Sequence, residues 1–181
     1  MKNKFYTLIM VISISACNNF TKEKVVSEKA DTNAADVNIQ VSDTSPRVTG
    51  IGGIFFFSDN PEKTKEWYNN NLGLKTNQYG SVFEFRDANN PDQINYLQWS
   101  PFKTGNKYFA PSKREFMINY RVCNIEALVK KLMESGVIIV DSIETYDYGK
   151  FVHIMDPDGN KLELWEPVDS VLTKIGGETN K

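Results

Sequence analysis

The residues best suited to chemistry lie in the stretch FVHIMDPDGNKLELWEP, which spans positions 151–167. It holds the only histidine of the chain, His153, and a carboxylate ten residues later, Glu163. Imidazole and carboxylate groups bind divalent cations and also act as general acids and bases. Two ligands make a poor metal site, however, so we expect His153 to be a packed or rim residue.

The local elements around these two residues are a pair of strands and a tight turn. FVHIM and KLELWEP are both typical of strands, and DPDGN lies between them. In such a turn Asp and Asn bond to the local backbone, proline presets one dihedral angle and glycine adopts a positive one. The pattern predicts that His153 and Glu163 lie on neighbouring strands.

The same order of elements occurs twice along the chain. The first half places a strand in VTGIGGIFFFSDN, a helix in PEKTKEWYNNNLG and strands around SVFEFRD and INYLQWSP. The second half places a strand in REFMINYRVCN, a helix in IEALVKKLMESG and strands in VIIVDSI, FVHIM and KLELWEP. Asp59 and Asn124 mark the strand-to-helix junctions, and Trp-x-Pro ends each half. We interpret this as an internal duplication.

The second helix is the clearer of the two. Apolar residues recur at helical spacing and form one stripe, and Gly136 ends the pattern. The stripe consists of Ile125, Leu128, Val129, Leu132 and Met133.

The duplicated βαβββ order, the LGL that follows the first helix and the stretch DPDGNKLELWEP together resemble the vicinal oxygen chelate superfamily. This superfamily includes glyoxalases, bleomycin resistance proteins and extradiol dioxygenases, and the glyoxalase-like subgroup is the most similar. The resemblance covers about positions 48–167. It implies an α+β fold in which two tandem βαβββ modules, about 48–102 and 115–168, form a cup-shaped half-barrel within a domain at 48–168.

The resemblance also implies where a metal would bind, because metal-binding members take ligands from the first and last strand of each module. Carried over position by position, the ligand positions fall on Gly52, Leu97, Met117 and Glu163. Only Glu163 can bind a hard cation. We therefore expect no metal and no other cofactor. Iron-dependent dioxygenase chemistry is also disfavoured, because it requires a bound metal ion.

Strand alternation suggests which side chains face the cup. Arg121 and Glu163 are its charged members, although a structural ion pair between them is an open alternative, and Glu163 is the candidate catalytic base. Tyr108, Tyr146 and Tyr148 belong to segments expected at the rim, where they would stack on a ligand or seal the edge. The candidate ligand-binding residues are Gly52, Phe56, Met117, Asn119, Arg121, Glu163 and Trp165.

The N-terminus resembles a bacterial lipoprotein signal. Positions 1–16 have a basic start and an apolar run too short to span a membrane, and ISAC places Cys17 at the cleavage point. Positions 17–47 then predict a lipidated cysteine and a polar, flexible tether. The expected location is the bacterial cell envelope, on the periplasmic or surface face of a membrane.

The remaining features limit the partners. Cys123 is the only other cysteine, so acylation of Cys17 leaves no disulfide, and we expect Cys123 to be a small packed residue. A formal charge of −2 without a basic run disfavours nucleic acid as a partner. A homodimer is possible, and the tail at 169–181 is predicted to be disordered.

Three functions fit these observations. The first is a membrane-anchored protein that binds an unidentified small molecule in its cup without a metal. The second is a lyase or isomerase with Glu163 as general base. The third is a non-catalytic interaction module whose cup is filled by its own side chains, and whether the chain is an enzyme at all stays open.

Overall fold

A computed structural model describes residues 43–181 of the chain. The predicted signal peptide, Cys17 and nearly all of the predicted tether lie outside the described residues. Among residues 43–181, none of the helices has the length and apolarity needed to cross a membrane. Cys123 is a half-buried free thiol.

The described part of the chain contains nine strands and three α-helices. The first module consists of β1, α1 and β2 to β4, and a short 3-10 helix at Lys107–Phe109 connects it to the second. The second module consists of β5, α2 and β6 to β9, and α3 follows it. The bounds are β1 Arg47–Ser58, α1 Pro61–Leu72, β2 Thr76–Asn77, β3 Gly80–Arg86, β4 Ile94–Lys103, β5 Phe116–Cys123, α2 Ile125–Glu134, β6 Ile138–Ile139, β7 Glu144–Tyr146, β8 Gly149–Met155, β9 Lys161–Pro167 and α3 Asp169–Ile175.

All nine strands join one open sheet in the order β2-β3-β4-β1-β5-β9-β8-β6, and β7 also pairs with β8. In each module the first strand pairs in parallel with the last, as β1 with β4 and β5 with β9. The two modules meet through the antiparallel pair of β1 and β5. The predicted α+β fold with two βαβββ modules is confirmed, and the short strand β7 is an addition to the second module.

Helix α2 covers one face of the second module. Asn124 caps its first turn by accepting a hydrogen bond from the Ala127 amide, and Ile125 and Leu128 are buried in its apolar core. The predicted stripe is correct except for Met133, which is 63% exposed. This core also contains Val122, Val152, Ile154 and Leu164.

The opposite face of the sheet is called the inner face here, and it carries Asn119, Arg121, His153, Glu163 and Trp165. These side chains share a face because Asn119 pairs with Glu163, Arg121 with Trp165 and His153 with Glu163 in adjacent strands. The functional site and both cavities described below lie on this face.

A bulge in β1 changes which of its residues reach the inner face. The pairing with β5 shifts between Ile51 and Gly53. An extra residue reverses the alternation beyond it, so Phe55 packs with Met117 on the inner side. Phe56 instead contacts Trp99, with ring centroids 5.2 Å apart. Trp99 in turn contacts Tyr68 of α1, so the prediction that Phe56 lines the cup is wrong.

The tail predicted to be disordered is ordered instead. Positions 169–175 form α3, and Arg121 Nη2 lies 2.5 Å from Asp169 Oδ2. Asn180 extends the edge of β3, since its amide donates to the Val82 carbonyl and its carbonyl accepts from the Glu84 amide, both at 2.8 Å. These contacts depend on distant residues, which the polar composition of the tail does not reveal.

Candidate functional site

Glu163 is the centre of a group of polar side chains on the inner face. It lies in the middle of β9, with Asn119 on one neighbouring strand and His153 on the other, and it is 3% exposed. Asn119 Nδ2 donates to Glu163 Oε1 at 2.5 Å. The other oxygen, Oε2, lies 3.0 Å from His153 Nε2 and accepts a hydrogen bond from the Tyr108 hydroxyl. These three partners satisfy the hydrogen-bonding needs of the buried carboxylate.

The turn between β8 and β9 sets the register that brings His153 to Glu163. Asp156 Oδ1 accepts from the amides of Asp158 and Asn160, at 3.0 and 2.8 Å. Gly159 has the predicted positive φ, 79°. The hairpin therefore closes as its sequence predicted.

Asp141 holds the other side of the histidine ring. Its Oδ2 lies 2.6 Å from His153 Nδ1, and its Oδ1 accepts from the His153 amide at 2.8 Å. Burial opposes protonation of the ring, but the hydrogen bond and charge of Glu163, with help from Asp141, outweigh it and raise the pKa of His153. The imidazole thus bridges two carboxylates.

Tyr108 reaches Glu163 from the connection between the modules. Asn106 caps the short 3-10 helix by accepting from the Tyr108 amide at 2.8 Å, and the neighbouring Phe109 is buried. Lys161 Nζ donates to the Tyr108 carbonyl at 2.7 Å. Burial, followed by the charge of Glu163, strongly raises the pKa of Tyr108, so its hydroxyl stays a neutral donor.

Lys161 adds a cation beside this group. Its ammonium lies 5.1 Å from the centroid of the Tyr108 ring. Burial lowers the pKa of Lys161, although Asp141 and Glu163 act in the opposite direction. The charges of the site are therefore mixed rather than of one sign.

A cavity of about 630 Å³ opens directly onto these residues and is called the central cavity here. Glu163, His153, Asp141 and Lys161 line its polar part, with Gln98, Ser100, Ser142, Glu144 and Lys107. Its apolar part is aromatic and consists of Phe55, Phe102, Tyr108, Tyr146, Tyr148, Phe151 and Tyr79.

Two of its aromatic pairs are parallel. Phe102 and Tyr108 stack with centroids 5.5 Å apart, and Tyr146 and Tyr148 stack at 5.3 Å. All three tyrosines expected at the rim therefore line the cavity.

The structure brings some of the predicted site residues together and separates others. Asn119 bonds to Glu163, but Asn119 does not line the central cavity. Met117 is 0% exposed, and packs in an apolar cluster with Phe55 and Phe109. Met117 is therefore a core residue and not a wall of the cavity.

Gly52 does not enlarge the cavity. A Cβ atom there would lie 2.2 Å from Asn119 Oδ1 and 2.8 Å from Trp165 Cε3, so the space beside Gly52 is already filled. Glycine is needed at this position for close packing between the strands.

Arg121 and Trp165 lie on the inner face but outside the central cavity. The Arg121 guanidinium bonds to Asp169, Asn95 Oδ1 and the Tyr96 carbonyl. It also lies 5.2 Å from the Trp165 ring. The ion pair suggested between Arg121 and Glu163 does not form, because each group has other partners.

Comparison with known proteins agrees with this architecture. The family model described as the Glyoxalase/Bleomycin resistance protein/Dioxygenase superfamily matches residues 50–164, which is more than half of the chain. The chain belongs to this superfamily. The predicted family is therefore confirmed, and none of the curated proteins matches the chain.

Several solved structures align with about two thirds of the chain. Methylmalonyl-CoA epimerase from Mycobacterium tuberculosis is 20% identical, with a TM-score of 0.48, and the match covers 70% of this chain and 93% of that one. A variant of methylmalonyl-CoA epimerase from Streptomyces coelicolor, in complex with 2-nitronate-propionyl-CoA, is 16% identical, with a TM-score of 0.49 and coverages of 67% and 99%. A glyoxalase/bleomycin resistance protein/dioxygenase superfamily member from Vibrio splendidus 12B01 is 14% identical, with a TM-score of 0.42 and coverages of 67% and 99%.

The divalent ion that this superfamily implies does not fit the residues present. Gly52 has no side chain, and Met117 is a thioether closed inside the core. The position of Leu97 was inferred by matching the two Trp-x-Pro endings to each other. Its neighbour Gln98 lines the central cavity, so strand alternation places Leu97 on the opposite face. Within residues 43–181, no group of three His, Cys, Asp or Glu side chains is arranged to hold a metal.

Sequence reasoning placed His153 beside Glu163 and Tyr108 at the rim, but it assigned neither residue to a group around Glu163 and did not identify Asp141. His153 is not a simple packed residue, and Asp141 and Tyr108 were not linked to Glu163. A signal for the first was present, because His153 and Glu163 lie equally far from the ends of the DPDGN turn and must therefore pair across the hairpin. No local pattern indicated Asp141 or Tyr108, which come from connecting segments.

Proposed function

We propose that this protein binds a small molecule in the central cavity and does so without a metal ion. The observation that carries the proposal is a cavity of about 630 Å³ whose floor is Glu163, the one inferred ligand position with a polar side chain. Ligand sites are typically concave, largely apolar and supplied with a few polar groups. A volume of this size lies within their usual range of about 300–1,000 Å³.

The walls indicate what kind of molecule fits. Parallel aromatic pairs offer flat faces, as Tyr146 with Tyr148 and Phe102 with Tyr108. The polar side contains carboxylates as well as lysines, so it suits a ligand with both donor and acceptor groups. The third function, an interaction module, requires a cup filled by its own side chains. The open space beside Glu163 therefore does not support it.

Native mass spectrometry of the chain purified from its own source tests the proposal. We expect a retained small molecule and no stoichiometric metal, and the same spectrum gives the assembly state and so tests a homodimer. Ser142 lines the cavity and is exposed, so Ser142→Trp should fill the space and remove the molecule. Ser135→Trp, at an exposed position outside the cavity lining, is the matched control. Equal retention by both variants would contradict the proposal.

A second candidate function, proton transfer by a lyase or isomerase, is favoured by the contacts of Glu163. Its Oε2 accepts a hydrogen bond from the neutral Tyr108 hydroxyl and lies next to the His153 ring. In this reaction the Glu163 carboxylate would take a proton from an acidic C–H of a bound carbonyl compound. The developing oxygen charge would be stabilised by the nearby ammonium of Lys161, whereas the Tyr108 hydroxyl already donates its proton to Glu163.

Isotope exchange separates catalysis from binding. In D₂O, proton transfer would introduce deuterium into the retained molecule at a rate that Glu163→Gln lowers by about 10²-fold or more while binding persists. Absence of exchange with the wild-type chain would leave binding as the function and exclude this second candidate.

The location is also a proposal. We propose that Cys17 is lipidated and anchors the domain at a membrane of the bacterial cell envelope, based on the ISAC stretch after the apolar run. The polar segment that follows would act as the tether between the anchor and the domain.

A further inference from the structure

The segment 168–181, called the C-terminal arm here, crosses the inner face over the first module. At its start Asp169 pairs with Arg121, whose side chain is only 4% exposed. In its middle Thr173 Oγ1 lies 2.9 Å from the Tyr96 hydroxyl. Near its end Thr179 Oγ1 donates to Glu84 Oε1 at 2.6 Å.

Asn180 holds the arm most tightly. Its backbone pairs with the edge of β3, and its Nδ2 donates to Ser81 Oγ at 2.7 Å and to the Val82 carbonyl at 3.0 Å. Its Oδ1 accepts from the Lys75 amide at 3.0 Å. The arm is therefore fixed at both ends by specific polar contacts rather than by burial of apolar side chains.

Helix α3 contacts the sheet at β4, where Thr173 bonds to Tyr96, but it does not close the space beneath the arm. None of its residues is buried, and a cavity of about 490 Å³, the arm cavity, lies between arm and sheet. Its apolar lining consists of Val82, Ile94, Tyr96, Trp165, Leu172 and Ile175. A molecule bound against these apolar residues would give them packing partners, and polar residues such as Asn77, Gln98 and Thr179 border the same space.

The charges around the arm cavity are mostly opposed. Arg121 and Asp169 neutralise each other at one end. At the other end Lys181 Nζ lies 3.9 Å from Glu84 Oε2, and Glu178 adds a second carboxylate to the lining. An anionic ligand would therefore be repelled, whereas an uncharged one meets no electrostatic cost.

We infer that the arm cavity is a second ligand site, which takes an uncharged apolar molecule and is distinct from the central cavity. Tyr79 and Gln98 line both cavities and stand between them. The site does not depend on the function proposed for the central cavity, because its lining contains neither Glu163 nor His153 and includes residues of the arm.

Fluorescence titration of the full chain with N-phenyl-1-naphthylamine, an uncharged apolar probe, tests this inference. We expect a saturable rise in fluorescence, and at least about tenfold weaker binding of the anionic probe 1-anilinonaphthalene-8-sulfonate. Equal affinity for the two probes would overturn the assignment of an uncharged ligand.

Two filling variants from opposite walls locate the probe. Leu172→Trp fills the arm cavity from the helix and Val82→Phe fills it from the sheet, and each should weaken binding of the uncharged probe by about tenfold. Ser135→Trp, outside both cavities, should leave the probe affinity unchanged, and Ser142→Trp reports any probe bound in the central cavity.

Circular dichroism and the urea midpoint show which variants are folded. If Leu172→Trp does not fold, Val82→Phe is the variant that tests the arm cavity. An unchanged affinity in a folded filling variant, or an equal loss in Ser142→Trp, would overturn the second site. No saturable binding by the wild-type chain would overturn it as well. The proposal for the central cavity has its own test, retention of a molecule in native mass spectrometry, and does not fail if the arm cavity binds no probe.

Discussion

His153 Nε2 lies 3.0 Å from Glu163 Oε2, while Nδ1 of the same ring lies 2.6 Å from Asp141 Oδ2. The only imidazole of the chain is therefore held between two carboxylates at the floor of the central cavity. Protonation of the His153 ring therefore depends on the folded structure and on any ligand that contacts Glu163.

The stability of the domain should depend on pH through His153. Its pKa in the folded state is raised above the ordinary value of 6.5, so the folded state binds the proton more tightly than the unfolded state. The resulting stabilisation is fully present below pH 6.5 and is lost as the pH rises through the raised pKa. We expect His153→Gln to lower the free energy of unfolding more at about pH 5.5 than at about pH 9, measured by urea denaturation. A loss independent of pH would contradict the inferred charge coupling.

Gly52→Ala should be strongly destabilising. Its Cβ would lie 2.2 Å from Asn119 Oδ1 and 2.8 Å from Trp165 Cε3, so these packed side chains must shift, at a cost of about 1–3 kcal/mol. Gly50→Ala is the matched control in the same strand, since its Cβ would meet only Arg121 Cδ at 3.9 Å. Chemical denaturation of both variants gives the two free energies, and equal values would show that the packing around Gly52 is loose.

The arm should contribute stability through its buried ion pair. Asp169→Ala leaves the Arg121 charge without its carboxylate, and we expect a loss of about 3 kcal/mol in the free energy of unfolding. Glu126→Ala is the control, because Glu126 pairs with Lys150 at the surface, where side-chain exposures are 55% and 37%. That change should cost about 0–1 kcal/mol. Similar small losses in both variants would indicate that the arm is not held by Asp169.

Chelation should leave the thermal stability unchanged. Gly52 and Met117 cannot serve as ligands for a hard cation, and a bound ion would stabilise the native state by mass action. Differential scanning calorimetry with and without chelator, together with elemental analysis, provides the measurement. One divalent ion per chain, lost together with stability, would contradict metal-independent folding.

Cys17→Ser should release the protein from the membrane fraction. An acyl chain contributes about 0.8 kcal/mol per buried CH₂, and the predicted tether is too polar to replace it. Fractionation followed by immunoblotting compares the variant with the wild-type chain, and Cys123→Ser is the control for loss of a thiol. A serine variant that still pellets with membranes would show that the lipoprotein interpretation is wrong.

The sequence determined the features that arise from short-range patterns. The helical stripe from Ile125 to Leu132 and the turn chemistry of DPDGN were correct, because both depend on residues a few positions apart. The duplicated order of elements indicated the two-module sheet, and together with the LGL and DPDGNKLELWEP stretches it indicated the family. Glu163 and Asn119 were correctly placed on one face for the same reason, since strand alternation is local.

Only the tertiary structure decided how the inner face is used. One extra residue in β1 turned Phe56 to the helix-bearing side, and alternation carries no warning of such a bulge. Arg121 has Asp169 as its partner, 48 positions away, rather than Glu163. Tyr108 and Asp141 reach the site from connecting segments. Each of these outcomes depends on which surfaces meet after folding, and the free energy of such contacts is set by distant residues that no local pattern in the sequence reports.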